Sequence, residues 1–599
     1  MLAVAVATCL ATSTPDALLA ANREATHALG SGTLVSTYRY RSEGMDGTAS
    51  STVDLESGRY VETERAGLSR SAVGFDGATP WMRDLSNFNI PEAGGNKPAL
   101  AINRAYRNAN VWWRTDHGGA AIKPVDCNSL EVKPRGGEPF RATFDPATHL
   151  LISVHEQQSF GQATDTRFSD YRRCGVSLVP GRIEIINDGD SSSSGTFELQ
   201  KCALAPPKPR SAYAMPLTQP RDWTLPPSGR AIIAMRPHDT EVMIRVRING
   251  KGPFLFYLDS GGHDLLSPRV AHELGIKIEG AGRSGGAGES TVETGYAKVA
   301  SLDADGAILK NQTVLILETS PPDVVGEKIG GLLGLEFFER FVTHIDYAAN
   351  KVSFEDPRRF TAADRRAAGT PIPFKFYEHM PQVAGRFDGL PAVYNIDTGS
   401  SQTVTMTRPF VEGAQLRARY PDAVTMVDGF GTGGPTRSII VRARSLELGS
   451  EEVARPAASL STAQRGAFSD PFYAGNIGNG ALRHFTVTFD YPHSIMYLSR
   501  VAHPDLRAYG YNRTGIIVVL DHGRLKVVDA SPGTPAAEAG LKAGDFLTAI
   551  GGMDVARQTL RETKQKLKQV TVGRPIAVEF LRDGTPHRVV LIPRDLVPN

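Results

Sequence analysis

Apolar and polar residues alternate in short runs over much of the chain, as they do in β-strands with one buried face. Residues 34–40 and 58–61 show this alternation between Gly and Asp turns, which predicts a curved antiparallel sheet before residue 205. Two more strongly apolar runs, 254–258 and 393–396, each lead directly into an aspartate. The pattern predicts a mainly β fold in which two strands deliver acidic side chains.

The chain after residue 230 contains an internal repeat. The tripeptide Asp259-Ser260-Gly261 follows the first apolar run, and Asp397-Thr398-Gly399 follows the second, 138 residues later (397 − 259). Further along, residues 334–347 align without gaps to 478–491 at an offset of 144 (478 − 334), with Gly, Phe and Asp-Tyr at matching places. The repeat predicts two consecutive lobes of similar plan.

Asp259 and Asp397 are the candidate catalytic pair. Attack of water on a peptide carbonyl needs a base to take the proton of the water and an acid to polarise the carbonyl. Two carboxyl groups a few ångströms apart cannot both ionise cheaply, so they share one proton and play both roles. The hydroxyls beside them are expected to bond across the lobe interface, and the glycines permit tight turns. These supporting residues are Ser260, Gly261, Thr398 and Gly399.

On these two tripeptides, residues 231–503 resemble the aspartic proteases of the retropepsin and pepsin type. The resemblance implies two β-rich lobes around a cleft, catalysis without metal or cofactor, and a peptide or protein substrate. It also implies two flaps that close over the substrate, and the glycine-rich stretches 280–288 and 429–434 stand where such hairpins are expected. The flap residues that we single out are Gly286, Gly288, Gly431 and Gly433.

Several alternatives stay open at this point. The protein could be a catalytically inactive peptide- or lipoprotein-binding protein with the same cleft, a homodimer that pairs one aspartate from each chain, or a fold that uses both aspartates as turn caps. Residues 282–286 match the sequence motif of a nucleophile elbow, and residues 429–434 match a dinucleotide-binding motif. Both motifs require a following helix, whereas we predict a strand after each of them. The chain departs from the family at Gly262, at the polar Asn395 and in lacking a flap tyrosine.

A second resemblance lies near the C-terminus. Residues 513–518 and 531–545 resemble a PDZ domain of the bacterial, protease-attached kind. The resemblance implies a groove for an extended or C-terminal peptide, with Gly515, Ile516 and Ile517 in the loop that receives the carboxylate. A helix at about 560–570 and a hairpin turning at 583–584 are expected to complete the domain. A domain that only packs on the protease lobes is the alternative.

The N-terminal sheet carries a looser resemblance. Residues 54–60 and 74–77, with Trp81, resemble the half-barrel of bacterial periplasmic lipoprotein carriers. The resemblance covers about residues 25–200 and implies a concave apolar face. The alternative is an ordinary core, because sheets commonly bury one side.

The charge and the cysteine content limit which binding partners and which cellular compartment are expected. The 66 Lys+Arg balance 64 Asp+Glu without long runs of one sign, which argues against a nucleic-acid partner. No apolar stretch is long enough for a transmembrane helix. The chain starts with an apolar segment in which residues 5–7 fit a signal-peptide cleavage site. This pattern predicts export, to the periplasm or outside the cell, and Cys9 is a candidate site for a lipid anchor. Cys127, Cys174 and Cys202 lack C-x-x-C spacing, which predicts one disulfide of open pairing, one free thiol and no zinc site.

Seven prolines between 206 and 228 predict a stiff, extended linker, and 599 residues suffice for about four domains. The predicted organisation is a signal-like segment at 1–20, a β-rich domain at 21–205, the linker at 206–230, protease lobes at 231–365 and 366–505, and a PDZ domain at 506–599.

Overall fold

The structure, a computed structural model, describes residues 14–27, 31–187, 190–236, 240–504, 506 and 511–597. The signal-like motif at 5–7 and the candidate anchor Cys9 lie outside the described residues. The architecture is mainly β and multidomain, which confirms the predicted fold class. None of the helices described is long and apolar enough to cross a membrane.

An antiparallel sheet of 13 strands builds the N-terminal part. The strands of this part are β1 (Thr33–Ser42), β2 (Met45–Asp54), β3 (Tyr60–Ala66), β4 (Ser69–Phe75), β5 (Pro80–Arg83), β6 (Asn89–Pro91), β7 (Ala121–Pro124), β8 (Ser129–Lys133), β9 (Phe140–Phe144), β10 (Leu151–Gln157), β11 (Ala163–Ser169), β12 (Arg172–Cys174), β13 (Ser177–Val179), β14 (Arg182–Asn187) and β15 (Asp190–Ala205). The sheet order is β6-β5-β4-β3-β2-β1-β15-β14-β11-β10-β9-β8-β7, while β12 and β13 form a separate ribbon. Antiparallel pairing of this kind puts alternate side chains on one buried face.

Two helices pack on this sheet, and they are α1 (Pro15–Thr26) and α2 (Lys97–Asn108). Ala101 and Ala105 of α2 are buried against Val53 and Phe75 of the sheet. Because residues four apart lie on one face of a helix, these small side chains let α2 approach the strands closely. This part of the sheet face is therefore packed core.

A disulfide joins Cys174 of β12 to Cys202 of β15, with the Cα atoms 5.9 Å apart. It fastens the ribbon to the large sheet. Cys127 is disulfide-bonded as well. The expectation of a free thiol is wrong, because no cysteine among the described residues is free.

The proline-rich stretch from 206 to 228 contains a 3₁₀ turn, Arg210–Ala212, and is hydrogen-bonded to the N-terminal part. Tyr213 is buried, and its carbonyl accepts a hydrogen bond from Trp81 Nε1 at 3.0 Å. Asn89 and Gln219 exchange two hydrogen bonds of 2.9 Å. The stretch is therefore a fixed connection between the N-terminal part and the lobes.

Two β-rich lobes follow, joined by α6 (Ala362–Ala367). The first contains β16 (Trp223–Thr224), β17 (Arg230–Ala234), β18 (Met243–Ile248), β19 (Lys251–Leu258), β20 (Leu265–Leu266), α3 (Pro268–Glu273), β21 (Ile278–Ser284), β22 (Val292–Ala304), β23 (Ala307–Ile316), α4 (Pro322–Val325), β24 (Gly331–Leu333), α5 (Leu335–Arg340), β25 (Val342–Asp346) and β26 (Lys351–Glu355). The second contains β27 (Thr370–Tyr377), β28 (Met380–Phe387), β29 (Leu390–Ile396), β30 (Val404–Met406), α7 (Arg408–Gly413), α8 (Leu416–Arg419), β31 (Thr425–Gly431), β32 (Gly434–Arg442), β33 (Ser445–Leu448), β34 (Glu451–Ala454), β35 (Ala457–Ser461), β36 (Gly475–Ile477), α9 (Asn479–Leu482), β37 (Phe485–Asp490) and β38 (Ile495–Arg500).

Both lobes share one sheet and one core. An eight-stranded sheet belongs to the first lobe, in the order β16-β23-β20-β24-β19-β18-β22-β21. A second sheet runs β17-β26-β25-β37-β38-β27-β28-β29-β36-β30-β35-β32-β31, with β33 beside β28 and β34 beside β33. This sheet takes strands from both lobes. Where the lobes meet, His344 of β25 pairs with Thr488 of β37, its counterpart in the repeat. The two copies thus join at an approximate twofold axis.

The C-terminal domain has its own core. Its elements are β39 (Ile516–Asp521), β40 (Arg524–Ala530), α10 (Pro535–Glu538), β41 (Phe546–Ile550), β42 (Met553–Asp554), α11 (Leu560–Gln569), β43 (Ile576–Arg582) and β44 (Thr585–Leu591). A capping box of Thr559 and Glu562 starts α11, and the β43–β44 turn has positive φ at Asp583 and Gly584. The predicted helix and hairpin are confirmed.

Arg340 of α5 ties three parts of the molecule together, although it is buried. Its guanidinium donates to both oxygens of Asp222, each at 2.8 Å, and to the Ser86 carbonyl at 3.2 Å. It also donates to the Glu336 carbonyl at 3.0 Å. One side chain therefore fixes the linker and the N-terminal part on the first lobe.

We expect Arg340→Met to lower the free energy of unfolding by about 3–5 kcal/mol, because it leaves Asp222 without its charged partner in a partly buried place. Urea denaturation measures the loss. The matched control is Arg39→Met: Arg39 pairs with Asp46, and both side chains are exposed, so its replacement should leave stability nearly unchanged. Equal losses in the two variants would contradict the role given to Arg340.

Candidate active site at the lobe interface

Each aspartate of the repeat stands immediately after a strand that has a parallel neighbour. β19 runs beside β24, and the Asp259 amide donates to the Leu333 carbonyl at 2.8 Å. β29 runs beside β36, and the Asp397 amide donates to the Ile477 carbonyl at 2.9 Å. The two loops are therefore fixed at the carboxyl ends of their strands, which face each other across the lobe interface.

Four crossed hydrogen bonds lock these loops together. The Thr398 hydroxyl accepts from the Ser260 amide at 2.9 Å and donates to the Leu258 carbonyl at 2.7 Å. In the mirror arrangement, the Ser260 hydroxyl accepts from the Thr398 amide at 3.1 Å and donates to the Ile396 carbonyl at 2.8 Å. Both hydroxyl residues are fully buried. Since buried polar groups must be paired, each lobe completes the loop of the other.

The structure brings the two carboxyl groups together, each against the glycine of the opposite loop. The Gly261 amide donates to Asp259 Oδ1 at 2.8 Å and the Gly399 amide to Asp397 Oδ1 at 2.9 Å. A Cβ atom at Gly399 would overlap the Asp259 carboxyl group, and one at Gly261 would lie 2.8 Å from Asp397 Cγ. The two carboxyl groups act on each other, and each alters the pKa of the other. One chain therefore contains the whole pair.

Burial and mutual repulsion keep a proton in this pair. Burial, followed by the charge of Asp397, raises the pKa of Asp259 well above its ordinary value. Burial also raises the pKa of Asp397, against the stabilisation of its anion by Asn476, whose Nδ2 donates to Asp397 Oδ2 at 2.7 Å. Because Asn476 stabilises the Asp397 anion, while the pKa of Asp259 is raised well above its ordinary value, the arrangement favours a proton on Asp259 and the charge on Asp397.

Asn476 is a site residue that the sequence reasoning missed. Its counterpart in the repeat is Leu332, an apolar residue that cannot donate to Asp259. Extending the repeat alignment by two residues at the same offset of 144 would have given the signal, because it pairs the apolar Leu332 of one copy with the amide Asn476 of the other. Asn479 was missed in the same way: its Nδ2 donates to the Thr398 carbonyl at 2.6 Å.

A histidine pair borders the first loop. His379, in the turn between β27 and β28, bonds through Nε2 to the Gly261 carbonyl at 2.9 Å, and its ring lies 4.6 Å from that of His263. Burial and the neighbouring His263 lower the pKa of His379 to about 4. Burial opposes protonation of His263 too, but the carboxylate of Glu336, 2.9 Å away, raises its pKa. No cluster of three or more His, Cys, Asp or Glu suited to a metal ion occurs among the described residues.

The glycine-rich stretches form two hairpins whose tips touch. One is built on β21 and β22, the other on β31 and β32, so neither the elbow string nor the dinucleotide string is followed by a helix. The Gly288 amide donates to the Thr432 carbonyl at 2.9 Å, and the Ser290 amide to the Gly433 carbonyl at 3.0 Å. Gly286 lies against Thr432, and a Cβ at Gly431 would be 2.7 Å from that of Ala287. Side chains at these glycines would keep the tips apart.

The residues expected in the PDZ carboxylate loop have other neighbours. Gly515 has a φ of 78°, and a Cβ there would overlap Thr534. Ile516 belongs to the core of its own domain. Ile517 packs against the second lobe, with Met426 and Ile440. The amides of Thr514, Gly515 and Ile516 bond to the side chains of Asn512 and Thr514.

Loss of the Thr398 hydroxyl should loosen the lobe interface. We expect Thr398→Val to lower the free energy of unfolding by about 2–4 kcal/mol, because the Ser260 amide and the Leu258 carbonyl stay buried without partners. Guanidinium denaturation measures the change. Thr343→Val is the matched control: Thr343 is equally buried, but its hydroxyl has no hydrogen-bond partner, so stability should hold or rise. A loss in the control as large as that in Thr398→Val would refute this account.

In a comparison with known proteins, two segments of the chain match family models. Residues 244–337 match the family model described as aspartyl protease, and residues 526–582 match that of the PDZ domain. A carboxy-terminal-processing protease from Bartonella bacilliformis is 36% identical over 84 residues, 14% of this chain and 19% of that protein. A probable periplasmic serine protease do/HhoA-like from Haemophilus influenzae is 36% identical over 63 residues, 10% of this chain and 13% of that protein. The chain thus spans under a fifth of these relatives.

A solved retropepsin-like aspartic protease from Rickettsia conorii is 21% identical, with a TM-score of 0.17, over 21% of this chain and 91% of its own. The aspartyl protease match covers Asp259 and ends within the first lobe, and the internal repeat extends the same plan to the second. The two family matches, to an aspartyl protease over residues 244–337 and to a PDZ domain over residues 526–582, confirm both resemblances.

Proposed function

We propose that the protein is an aspartic endopeptidase in which Asp259 and Asp397 activate a water molecule. The observation that supports this most directly is the reciprocal packing of each carboxyl group on the glycine of the opposite loop. This packing holds two coupled carboxyl groups in one buried place, where they can share a proton. A pair of turn-capping aspartates would not need to meet.

The asymmetry around Asn476 assigns the two roles. Asp397, the anion, takes a proton from the water as the water oxygen attacks the scissile carbonyl carbon, while Asp259 gives its proton to the carbonyl oxygen. The resulting diol collapses when Asp397 passes its new proton to the amide nitrogen and Asp259 takes back a proton from a hydroxyl. The C–N bond breaks, and the pair regains its single shared proton.

The two hairpins define the class of substrate. Their tips meet each other through backbone hydrogen bonds, and strand amides of this kind recognise the backbone of an extended peptide. A peptide enters when the tips separate, and an extended stretch of protein chain is therefore the proposed substrate. The Haemophilus influenzae relative, which is named a serine protease, matches only 10% of this chain, and this is too little to carry its serine chemistry across.

We also propose that the protein works outside the cytoplasm, in the periplasm or beyond the cell. The Cys174–Cys202 disulfide supports this location, because such bonds persist in oxidising compartments. The printed name of the Haemophilus influenzae relative, a periplasmic protease, is consistent with it.

Substitution of either aspartate tests the enzyme directly. We expect Asp259→Asn and Asp397→Asn each to lower kcat for a peptide library by about 10³-fold or more, since each removes a proton-transfer group. The double variant should be little worse, because the pair acts as a unit. Asp305→Asn is the control: Asp305 lies in an exposed turn with a φ of 48°. If wild type and all variants behave alike, the protein is a binding protein that keeps the cleft without the chemistry.

The pH profile tests the role of Asn476. Its amide stabilises the Asp397 anion, so Asn476→Leu, which copies Leu332 of the first lobe, should raise the pKa at which the pair first ionises. The acid limb of kcat/KM should then move to higher pH, while Asp305→Asn leaves it in place. Initial rates across pH measure the limb. An unchanged acid limb in Asn476→Leu would remove this assignment and leave the enzyme itself untouched.

A further inference from the structure

The PDZ domain has one open sheet edge, next to a helix. β39 ends the sheet order β39-β40-β41-β43-β44, and α11 packs beside it. An extended peptide can add to such an edge as a further strand, with its side chains against the helix. We call the space between β39 and α11 the PDZ groove.

A segment of the first protease lobe fills this groove. α4 lies against both β39 and α11. Val324 accepts a hydrogen bond through its carbonyl from Lys564 Nζ of α11 at 2.6 Å. Gly326 lies so close to α11 that a Cβ there would be 2.9 Å from that of Leu560. We call residues 321–326 the plug segment.

The plug segment covers the edge of β39 without pairing with it. It begins with Pro321 and Pro322, which have no amide hydrogen, and it forms a single helical turn that ends at Gly326. Both partners are described without gaps, and no backbone hydrogen bond joins them. A one-turn helix has little stability of its own. An extended peptide would supply the ladder of hydrogen bonds that the plug segment does not.

Lys564 indicates the chemistry of such a peptide. Its ammonium group lies in the groove, largely buried, with the Val324 carbonyl as acceptor and the Phe430 ring 5.7 Å away. Burial, and then the neighbouring Lys568, lower its pKa to about 8, against the opposing effect of Glu241. When the plug segment leaves, this cation needs another partner, and a carboxylate satisfies it best.

We propose that the PDZ groove binds an extended peptide bearing a carboxylate, and that residues 321–326 mask this site until the peptide displaces them. The carboxylate comes from an acidic side chain or from the C-terminus of the peptide. The PDZ groove is a site distinct from the aspartate pair, because neither α11 nor β39 contributes to that pair.

A substitution in the plug segment, which belongs to the protease lobe, tests whether this segment masks the PDZ groove. We choose Gly326→Ala, because its methyl group would press on Leu560 and no residue of the PDZ domain is substituted. Gly250→Ala is the matched control: Gly250 also has positive φ, 78° against 86°, but has open space around its Cβ position. Both variants are made in full-length Asp397→Asn protein, so that the peptide is not cleaved and failure of the proposed enzyme does not affect the result.

The ligand is a fluorescein-labelled hexapeptide of alternating valine and glutamate, and its affinity is measured by fluorescence anisotropy. We expect Gly326→Ala to bind at least about tenfold more tightly than the parent and than Gly250→Ala, because the cost of displacing the mask is reduced. Equal affinities in the three proteins, or no binding by any of them, would overturn the proposal.

Two further measurements determine which carboxylate of the peptide is recognised and where the peptide binds. Glutamine versions and C-terminally amidated versions of the peptide tell whether side-chain or terminal carboxylates matter, and Lys564→Met should abolish the difference. If neither change weakens binding, the assigned chemistry is wrong. Hydrogen exchange on the parent should show peptide binding increasing protection of β39 and decreasing that of the plug segment. Binding with unchanged exchange in both would place the peptide elsewhere and refute the mask.

Discussion

The crossed hydrogen bonds of Ser260 and Thr398 are the constraint on which the candidate site depends. Each lobe folds its own strand and its own aspartate, but neither lobe can satisfy the buried hydroxyl and amide of its loop alone. An unpaired buried group costs about 1–3 kcal/mol, so the lobes are stable only in the register that pairs all four. The same register places the carboxyl groups against each other. The register that makes the interface stable is thus the register that positions the carboxyl groups. The pairing of β25 with β37 reinforces this register.

Duplication supplies two equal halves, whereas the proposed chemistry needs unequal ones. The inequality comes from the surroundings of the pair rather than from the pair. Asn476 donates to Asp397 where Leu332 offers Asp259 nothing, and His379 bonds the first loop at the Gly261 carbonyl. A donor beside one carboxylate is enough to separate their protonation, because coupled carboxyl groups differ little otherwise. The proposed division into acid and base therefore rests on a single amide.

Local pattern explains why part of this structure could be predicted. An apolar strand that runs into Asp-Ser/Thr-Gly is a short-range feature, and its duplication selects Asp259 and Asp397 from 64 acidic residues. The flap hairpins and the PDZ helix were expected from the two family resemblances, which rest on short local motifs of the same kind. The neighbours of the site could not be predicted, because His379 and the plug segment reach their positions through tertiary packing. The expected free thiol failed for the same reason, since disulfide partners are set by the fold.

The added domains hold the roots of both flaps. The Ala281 amide of the first flap donates to the Glu43 carbonyl of the N-terminal sheet at 2.9 Å. The Val427 amide of the second donates to Asp529 of the PDZ domain at 3.2 Å, and Arg437 of the same flap pairs with Asp529 at 2.9 Å.

Hinge motion of a hairpin depends on how its root is held, since the root strands absorb the change in backbone angles. The tips are bonded to each other, so in the proposed enzyme they part to admit a peptide only if these roots yield. Access to the pair is then a property of the whole chain. The two lobes supply the carboxyl groups, and the domains on either side of them determine how readily the flaps part.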